Sequence, residues 1–261
     1  MSTRERRGLF LFRHLIGGRT QVVKCELGRM DTDDIGEALR LHYNVTKGLS
    51  REIFAPTSDE DMARLLGNDG ISLGVWFEDR LICMRALMTN PEWVGETMGH
   101  MSLAPDETRR TAYMDHCIVD KEFRGNNVQF LTYYALENHM ADSFDTLLTT
   151  VSPKNPFSLQ NILGCNFVVI GIKELYGGFL RFVMRKKLIM GMPIWTHGHF
   201  VTPLSDLRQQ RTLFEDDYVG YKMIRKNRGF CMLYAPMAEQ PPKGYWKNMS
   251  KEKEKLLPRL T

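Results

Sequence analysis

The chain has 261 residues, 43% of them hydrophobic and 25% charged, with 35 Lys and Arg set against 31 Asp and Glu for a formal net charge of +4. That length and apolar content support a buried core in one large domain, or in a domain with an appendage. The near balance of charge gives no bulk attraction to nucleic acid or to a membrane surface, and neither partner is expected. Cys25, Cys83, Cys117, Cys165 and Cys231 are odd in number and lack C-x-x-C spacing, which predicts free thiols in a reducing compartment. The apolar run 9–12 is interrupted by Arg13 and His14, too short for a signal-peptide core or a bilayer span, so a cytoplasmic protein is expected.

In chain order, residues 1–18 are basic, end in Gly17-Gly18, and are expected to form an N-terminal arm. A strand is predicted over 21–27. Asp31-Thr32-Asp33-Asp34 supplies N-cap candidates for a helix through about residue 43, with Ile35, Ala38, Leu39 and Leu41 as its apolar stripe, and residues 57–60 open a second helix that ends at Gly67. Strands over 71–77 and 81–88 form a hairpin about Glu78-Asp79-Arg80. The connection 89–110 is long for neighbouring strands, and two readings stand: a flap over a substrate, or a packed surface excursion.

Residues 113–119 are β-prone and predict a strand. After a short turn, Arg124-Gly125-Asn126-Asn127 opens a helix whose apolar face is read from Val128, Leu131, Tyr134, Ala135 and Leu136. A strand that turns sharply into a helix leaves first-turn N–H groups unpaired at the positive end of the helix dipole, which makes an anion site. Gly125 permits close backbone approach, the two asparagines suit turn conformations, and Arg124 adds a charge matched to phosphate. The motif alone is weakly specific, because Asn and Gly are also ordinary helix-start chemistry.

The order that follows is more specific. A strand over 146–151 is broken by Ser152-Pro153-Lys154-Asn155-Pro156, a short helix covers 157–163, and Gly164-Cys165-Asn166-Phe167 leads into strands 167–175 and 179–187. The second of these is basic and is read as a solvated face. Val119, Phe123, Arg124, Gly125, Asn127, Asn155 and Phe167 match the pattern of a strand ending in V-x-x-x-[FY]-R-G-x-[GN], then helix, strand, Asn, short helix and Phe. On these residues the chain resembles the GNAT superfamily of N-acetyltransferases, over about residues 113–188 and more loosely back to about residue 22. The resemblance departs at Asn127, where the family usually has Gly, at Gln129, usually small, and at Ile162, where many members have a Tyr that protonates the departing thiolate.

The resemblance implies an α/β GNAT-like acyl-CoA N-acyltransferase fold, with a mixed, mostly antiparallel central sheet flanked by helices. It divides the chain into the arm 1–18, an acyltransferase domain 19–190, a helix plus β-hairpin extension 191–239, and a surface tail 240–261. Within the extension, a helix in 204–216 with Ser205 as a cap candidate precedes strands 218–224 and 229–234. It is read either as a small subdomain or as a continuation of the sheet, with a homodimer contact as one role open to it.

The implied activity is transfer of an acyl group, most simply acetyl, from acetyl-CoA or another acyl-CoA to a primary amine of a small-molecule or amino-acid-like acceptor by direct attack. The alternatives are a peptide or protein N-acetyltransferase and a non-catalytic acyl-CoA-binding regulatory module. By the same resemblance Ile118, Val119 and Asp120 meet the pantetheine and thioester, the backbone of Arg124, Gly125, Asn126, Asn127, Val128 and Gln129 cradles phosphate, and Asn155 contacts the cofactor while capping its helix. Asp115, four positions before Val119, is the candidate base or ammonium ligand, with pairing to a basic neighbour as the structural alternative. His116 is the reserve base. Strand alternation sends Asp115 and His116 to opposite faces unless a bulge intervenes. Ser158 is the hydroxyl candidate for the leaving thiolate, though an ordinary helix Ser is the blander reading. Cys117 invites an acyl-enzyme but is read as a core thiol, and His197 and His199 lack a third ligand cluster, so no metal is expected.

Overall fold

Period-two patterning builds the sheet of the N-terminal half. The computed structural model describes residues 6–16, 19–55, 57–98, 105–140, 142–188, 199–226 and 229–237, and the chain divides into two compact units, Met1–Thr149 and Thr150–Thr261. In the first unit the strands β1 (Arg6–Ile16), β2 (Arg19–Met30), β3 (Gly70–Phe77), β4 (Arg80–Met88) and β5 (Thr111–Val119) are each antiparallel to the next. A further strand, β6 (Thr146–Val151), is parallel to β5 over only three pairs, Thr111–Tyr113 against Thr146–Leu148. The sheet is therefore mixed and mostly antiparallel, as the pattern predicts.

The segment expected to be an arm contains β1. Phe12 and His14 turn inward and are buried, while Leu9 and Leu11 are each 68% exposed, so alternation, rather than a helix-like stripe, is what the residues encode. His14 stacks on the fully buried Phe123 with ring centroids 4.4 Å apart, which gives β1 an anchor that composition alone does not reveal.

Helices α1 (Ile35–Thr46) and α2 (Asp59–Leu66) form close to the predicted positions. Asp31 accepts from Asp33 N–H and completes a capping box with Asp34, and Ser58 caps α2 by accepting from Asp61 N–H. The long connection after β4 holds α3 (Pro91–Thr97) and α4 (Pro105–Arg109). Asp69 fixes its start: its carbonyl accepts from Thr89 and Asn90 N–H, and its carboxylate accepts from Asn90 Nδ2 at 2.8 Å and Arg64 Nε at 2.9 Å. Trp93 and Val94 are buried. Residues 89–98 are thus a packed excursion, while His100, Met101 and Leu103 lie outside the described residues.

Helix α5 (Val128–Met140) follows the RGNN turn, but its buried face is not the one read from its apolar residues. Val128, Thr132, Tyr133, Leu136, Glu137 and Met140 are buried, whereas Leu131, Tyr134 and Ala135 are half-buried. Its apolar residues are not confined to one face, so the sequence leaves its rotation open. Arg85 on β4 helps to set it by drawing Thr132 and the Gln129 carbonyl inward.

In the second unit α6 (Pro156–Gly164) leads into β7 (Val168–Leu175) and β8 (Phe179–Lys187), an antiparallel hairpin. A strand the sequence reading lacked, β9 (Phe200–Pro203), lies beside the last hairpin, β10 (Tyr218–Lys226) and β11 (Gly229–Pro236), with α7 (Leu207–Glu215) between them in sequence. Asp206, not Ser205, caps α7 by accepting from Gln209 N–H. Gly220 pairs with Val169, so the appended elements continue the antiparallel sheet of their own unit. Buried Gln210 donates to the Pro203 and Leu204 carbonyls, both at 3.0 Å, and accepts from Tyr234 Oη at 2.7 Å, a fully satisfied network that ties α7 to β11. The tail 240–261 lies outside the described residues.

Candidate active site

The site begins with a register fault. Ala86 pairs with His116 while the next residue, Leu87, pairs with Met114, so Asp115 is the extra residue of a β-bulge. The side chains confirm the phase change. Met114 receives a hydrogen bond from Arg85 on the α5 side, whereas His116, two residues on, packs against His42 and Phe54 on the α1 side. In an unbroken strand positions 114 and 116 would share a face. The bulge brings Asp115 and His116 together: His116 Nδ1 lies 2.5 Å from Asp115 Oδ2, with Thr57 Oγ1 at 3.4 Å from the same nitrogen.

In the tautomer whose Nδ1–H donates to the Asp115 carboxylate, His116 Nε2 carries the ring lone pair. That nitrogen is buried and, among the described residues, has no hydrogen-bond partner; the same holds for His42 Nδ1. The two rings are 5.9 Å apart, and Phe54 lies against both. His42 is 1% exposed and was not singled out by sequence reading. Its signal was available only as a polar residue next to Leu41 on the inner stripe of α1. The neighbouring Tyr43 hydroxyl donates to Asp59. An arrangement of carboxylate, hydrogen-bonded imidazole and second buried imidazole can take a proton at Nε2 of His116, in the tautomer that leaves that nitrogen unprotonated, from a group brought beside it.

Burial and then the neighbouring His116 hold the His42 pKa below its ordinary value of 6.5, against the opposing pull of Asp115 and Asp59. Between the lowered folded value and the unfolded one, the unfolded chain binds more protons, so stability rises with pH in that window. Melting temperature is therefore expected to fall as pH drops below about 6.5, and a His42→Gln variant should show a shallower fall. Identical pH slopes in the two chains would exclude His42 as a source.

Ile118, Val119 and Asp120 lie at the end of β5, and residues 124–129 form the turn and helix start beyond it. The β5–β6 ladder ends at the pair Tyr113–Leu148, and Thr149 Oγ1 donates to the Met114 carbonyl at 2.7 Å. Asp120 N–H bonds the Ile82 carbonyl of β4 at 2.8 Å, and alternation then points the Val119 backbone to the opposite edge. Arg124 Nε occupies that carbonyl at 3.2 Å. The Asp120 side chain caps the next turn through Glu122 N–H and pairs with Arg80 at 3.4 Å. Ile118 is buried opposite Met84.

In the turn, Gly125 has φ +79° and Asn127 φ +57°. A side chain at Gly125 would meet no atom within 4 Å, so glycine is needed there for conformation and for an open approach. The first helical bonds run from Phe130 and Leu131 N–H to the Asn127 carbonyl, leaving the Asn127 and Val128 amides at the helix end without an intrahelical acceptor. The backbone thus keeps the form of an anion-binding concavity. The Asn126 side chain is engaged elsewhere: its Oδ1 accepts from Arg13 N–H and its Nδ2 donates to the Arg13 and Phe123 carbonyls, clasping the turn to β1. Gln129 offers its carbonyl to Arg85 at 2.7 Å.

Asn155 and Ser158 belong to the second unit. Asn155 caps α6, its Oδ1 accepting from Ser158 N–H at 3.1 Å. His199 bonds Tyr221 Oη at 2.9 Å; His197 lies outside the described residues. All five cysteines are free, and no described helix is long and apolar enough to cross a membrane.

The succession of bulged strand, RGNN turn, helix, parallel strand, Asn-capped short helix and antiparallel hairpin is that of a GNAT-like α/β fold. No protein-family model matches the chain, and no curated protein is detectably similar in sequence. Among solved structures, an N-acetyltransferase from Staphylococcus aureus is similar at 17% identity and TM-score 0.49, covering 63% of this chain and 98% of that one. The ribosomal-protein-S18-alanine N-acetyltransferase from Escherichia coli is similar at 12% identity and TM-score 0.47, over 67% and 99%. An aminoglycoside acetyltransferase solved with coenzyme A and kanamycin is 12% identical with TM-score 0.48, over 62% and 94%.

Proposed function

We infer that the chain is an acyl-CoA-dependent N-acyltransferase, moving an acyl group, most simply acetyl, to a primary amine of a small-molecule or amino-acid-like acceptor within a ternary complex. The observation that carries this reading is the bulge at Asp115, which sets a buried imidazole in hydrogen-bond contact with the Asp115 carboxylate near the end of β5. Acyl transfer to an amine requires the reactants to be held together, the amine to lose a proton, and the oxyanion to be stabilised. Asp115 fixes the His116 tautomer, and His116 Nε2 takes the amine proton. Phe54 and His42 keep water from that nitrogen. The sequence reading gave the base to Asp115 and held His116 in reserve; the hydrogen bond between them favours the reverse assignment, with Asp115 as the positioning residue.

The acyl-CoA supplies the thioester. Its phosphates suit the Gly125–Asn127 backbone and the Arg124 charge, and its pantetheine suits the edge at Val119, where pairing exchanges the bond now made by Arg124. Cofactor contact by Asn155 and a proton from Ser158 for the leaving thiolate rest on the sequence resemblance alone.

Calorimetric titration with coenzyme A and acetyl-CoA, beside a Gly125→Val variant, tests the first premise. Binding by the native chain is expected, with loss in the variant because a β-branched residue resists φ +79°. Thiol release can then be screened against amines. No binding by the native chain would sink the reading. Ile162, at the position where many family members carry the Tyr that protonates the thiolate, favours one second reading, a non-catalytic acyl-CoA-binding module, for which binding without turnover on any amine would speak.

A further inference from the structure

On the α5 side of β4 and β5, the face opposite the histidines, two thiols and a guanidinium share a buried niche. Cys83 stands opposite Val119 and Cys117 opposite Arg85, so the cysteines are diagonal neighbours on one face, with their sulfurs 3.9 Å apart. Arg85 is 2% exposed. Its Nε donates to Thr132 Oγ1 at 3.0 Å, one terminal nitrogen to Met114 Sδ at 3.1 Å and the other to the Gln129 carbonyl at 2.7 Å. All three acceptors are neutral, and a guanidinium withdrawn from water is costly unless an anion answers it. The thiolate of Cys117, directly across the ladder and within 4.0 Å of Thr132 Oγ1, can be that anion.

The thiols divide the roles unequally. Cys117 is drawn below the ordinary thiol range, foremost by the hydrogen bond from Cys83, with Arg85, Thr132 and His116 acting in the same direction against burial. Cys83 is pushed up, foremost by its burial. Cys117 is also only half-buried, whereas the other four cysteines are buried. Reactivity of a thiol follows its thiolate character and its access.

We propose that Cys117 is a hydroperoxide-reactive site and Cys83 its resolving thiol, the two closing into a disulfide across β4 and β5. The Cys117 thiolate attacks the terminal oxygen of a hydroperoxide; an S–O bond forms, the O–O bond breaks, and the alkoxide or hydroxide leaves and takes a proton from water. The Cys83 thiol then attacks the sulfenic sulfur; the S–S bond forms, the S–O bond breaks, and the Cys83 proton departs with the hydroxyl as water. Both sulfurs are oxidised by one electron each, and the peroxide oxygens are reduced by two. The sulfurs must close by roughly 2 Å to reach bond length.

The test treats the full chain at pH 7 with hydrogen peroxide, blocks remaining thiols with an alkylating reagent, and maps peptides without reduction. A Cys83–Cys117 linkage is expected first, with Cys25, Cys165 and Cys231 still alkylated and Cys117 reacting at least about 10-fold faster than an ordinary thiol. Cys83→Ser should accumulate a Cys117 sulfenic acid that dimedone traps, and Cys117→Ser should yield neither product. First oxidation at another cysteine, or over-oxidation of Cys117 in the native chain while Cys83 remains alkylatable, would overturn the proposal.

Discussion

His116→Gln is expected to lower turnover on an amine acceptor by about 10²–10⁴-fold, the usual worth of a positioned general base, while acyl-CoA affinity stays near native. The expectation rests on geometry: Nδ1 lies in hydrogen-bond contact with the Asp115 carboxylate, and Nε2 is buried without a partner among the described residues. Glutamine keeps the volume and can still meet Asp115, but it cannot take up a proton. Asp115→Asn should act in the same direction by loosening the ring tautomer, with the loss carried by kcat more than by KM. Steady-state thiol release, paired with calorimetric acyl-CoA binding, separates the outcomes. Turnover of His116→Gln within about threefold of native would exclude His116 as the base, since even a weak general base is worth more.

Phe123→Ala is expected to cost about 3–5 kcal/mol of unfolding free energy, as large-to-small changes of buried aromatics do. Phe123 is fully buried, stacks on His14 at 4.4 Å, and meets Phe77 at 5.6 Å. It is also two residues from Gly125, and its carbonyl holds the Asn126 amide at 2.9 Å. The cavity would therefore open beneath the turn 124–127 itself. Denaturant unfolding should show a lowered midpoint, and acyl-CoA binding should weaken in the fraction that remains folded. A midpoint shift worth less than about 1 kcal/mol would mean that β1 and the turn do not depend on this ring.

The tertiary partners of Asp115 and Phe123 mark where sequence reading stops. The Phe was legible as the aromatic of the strand-end motif, but not as the ring on which His14 and β1 rest. The Asp and the His were legible as adjacent candidates, and the bulge was foreseen as the one condition that would unite them. Whether it occurs depends on how β4 pairs with β5, a choice made between residues 30 positions apart. His42 was missed for a related reason: a lone His on a helix stripe gains meaning only when β5 delivers a second imidazole to it.

By itself the sequence determined the order and type of most elements, because turn residues, caps and hydrophobic period act over a few neighbours. It placed β6 and β8 at their observed ends, set the RGNN turn at a helix start, and put Asn155 at the head of α6. Only the tertiary structure decided the rotation of α5, the inclusion of β1 and β9 in sheets, and the faces taken by Asp115, His116 and Cys117. Those outcomes depend on register and on buried partners far along the chain: a one-residue slip in a strand reverses every side chain beyond it, and a buried Arg85 can turn a helix with no single apolar face toward its hydrogen-bond acceptors.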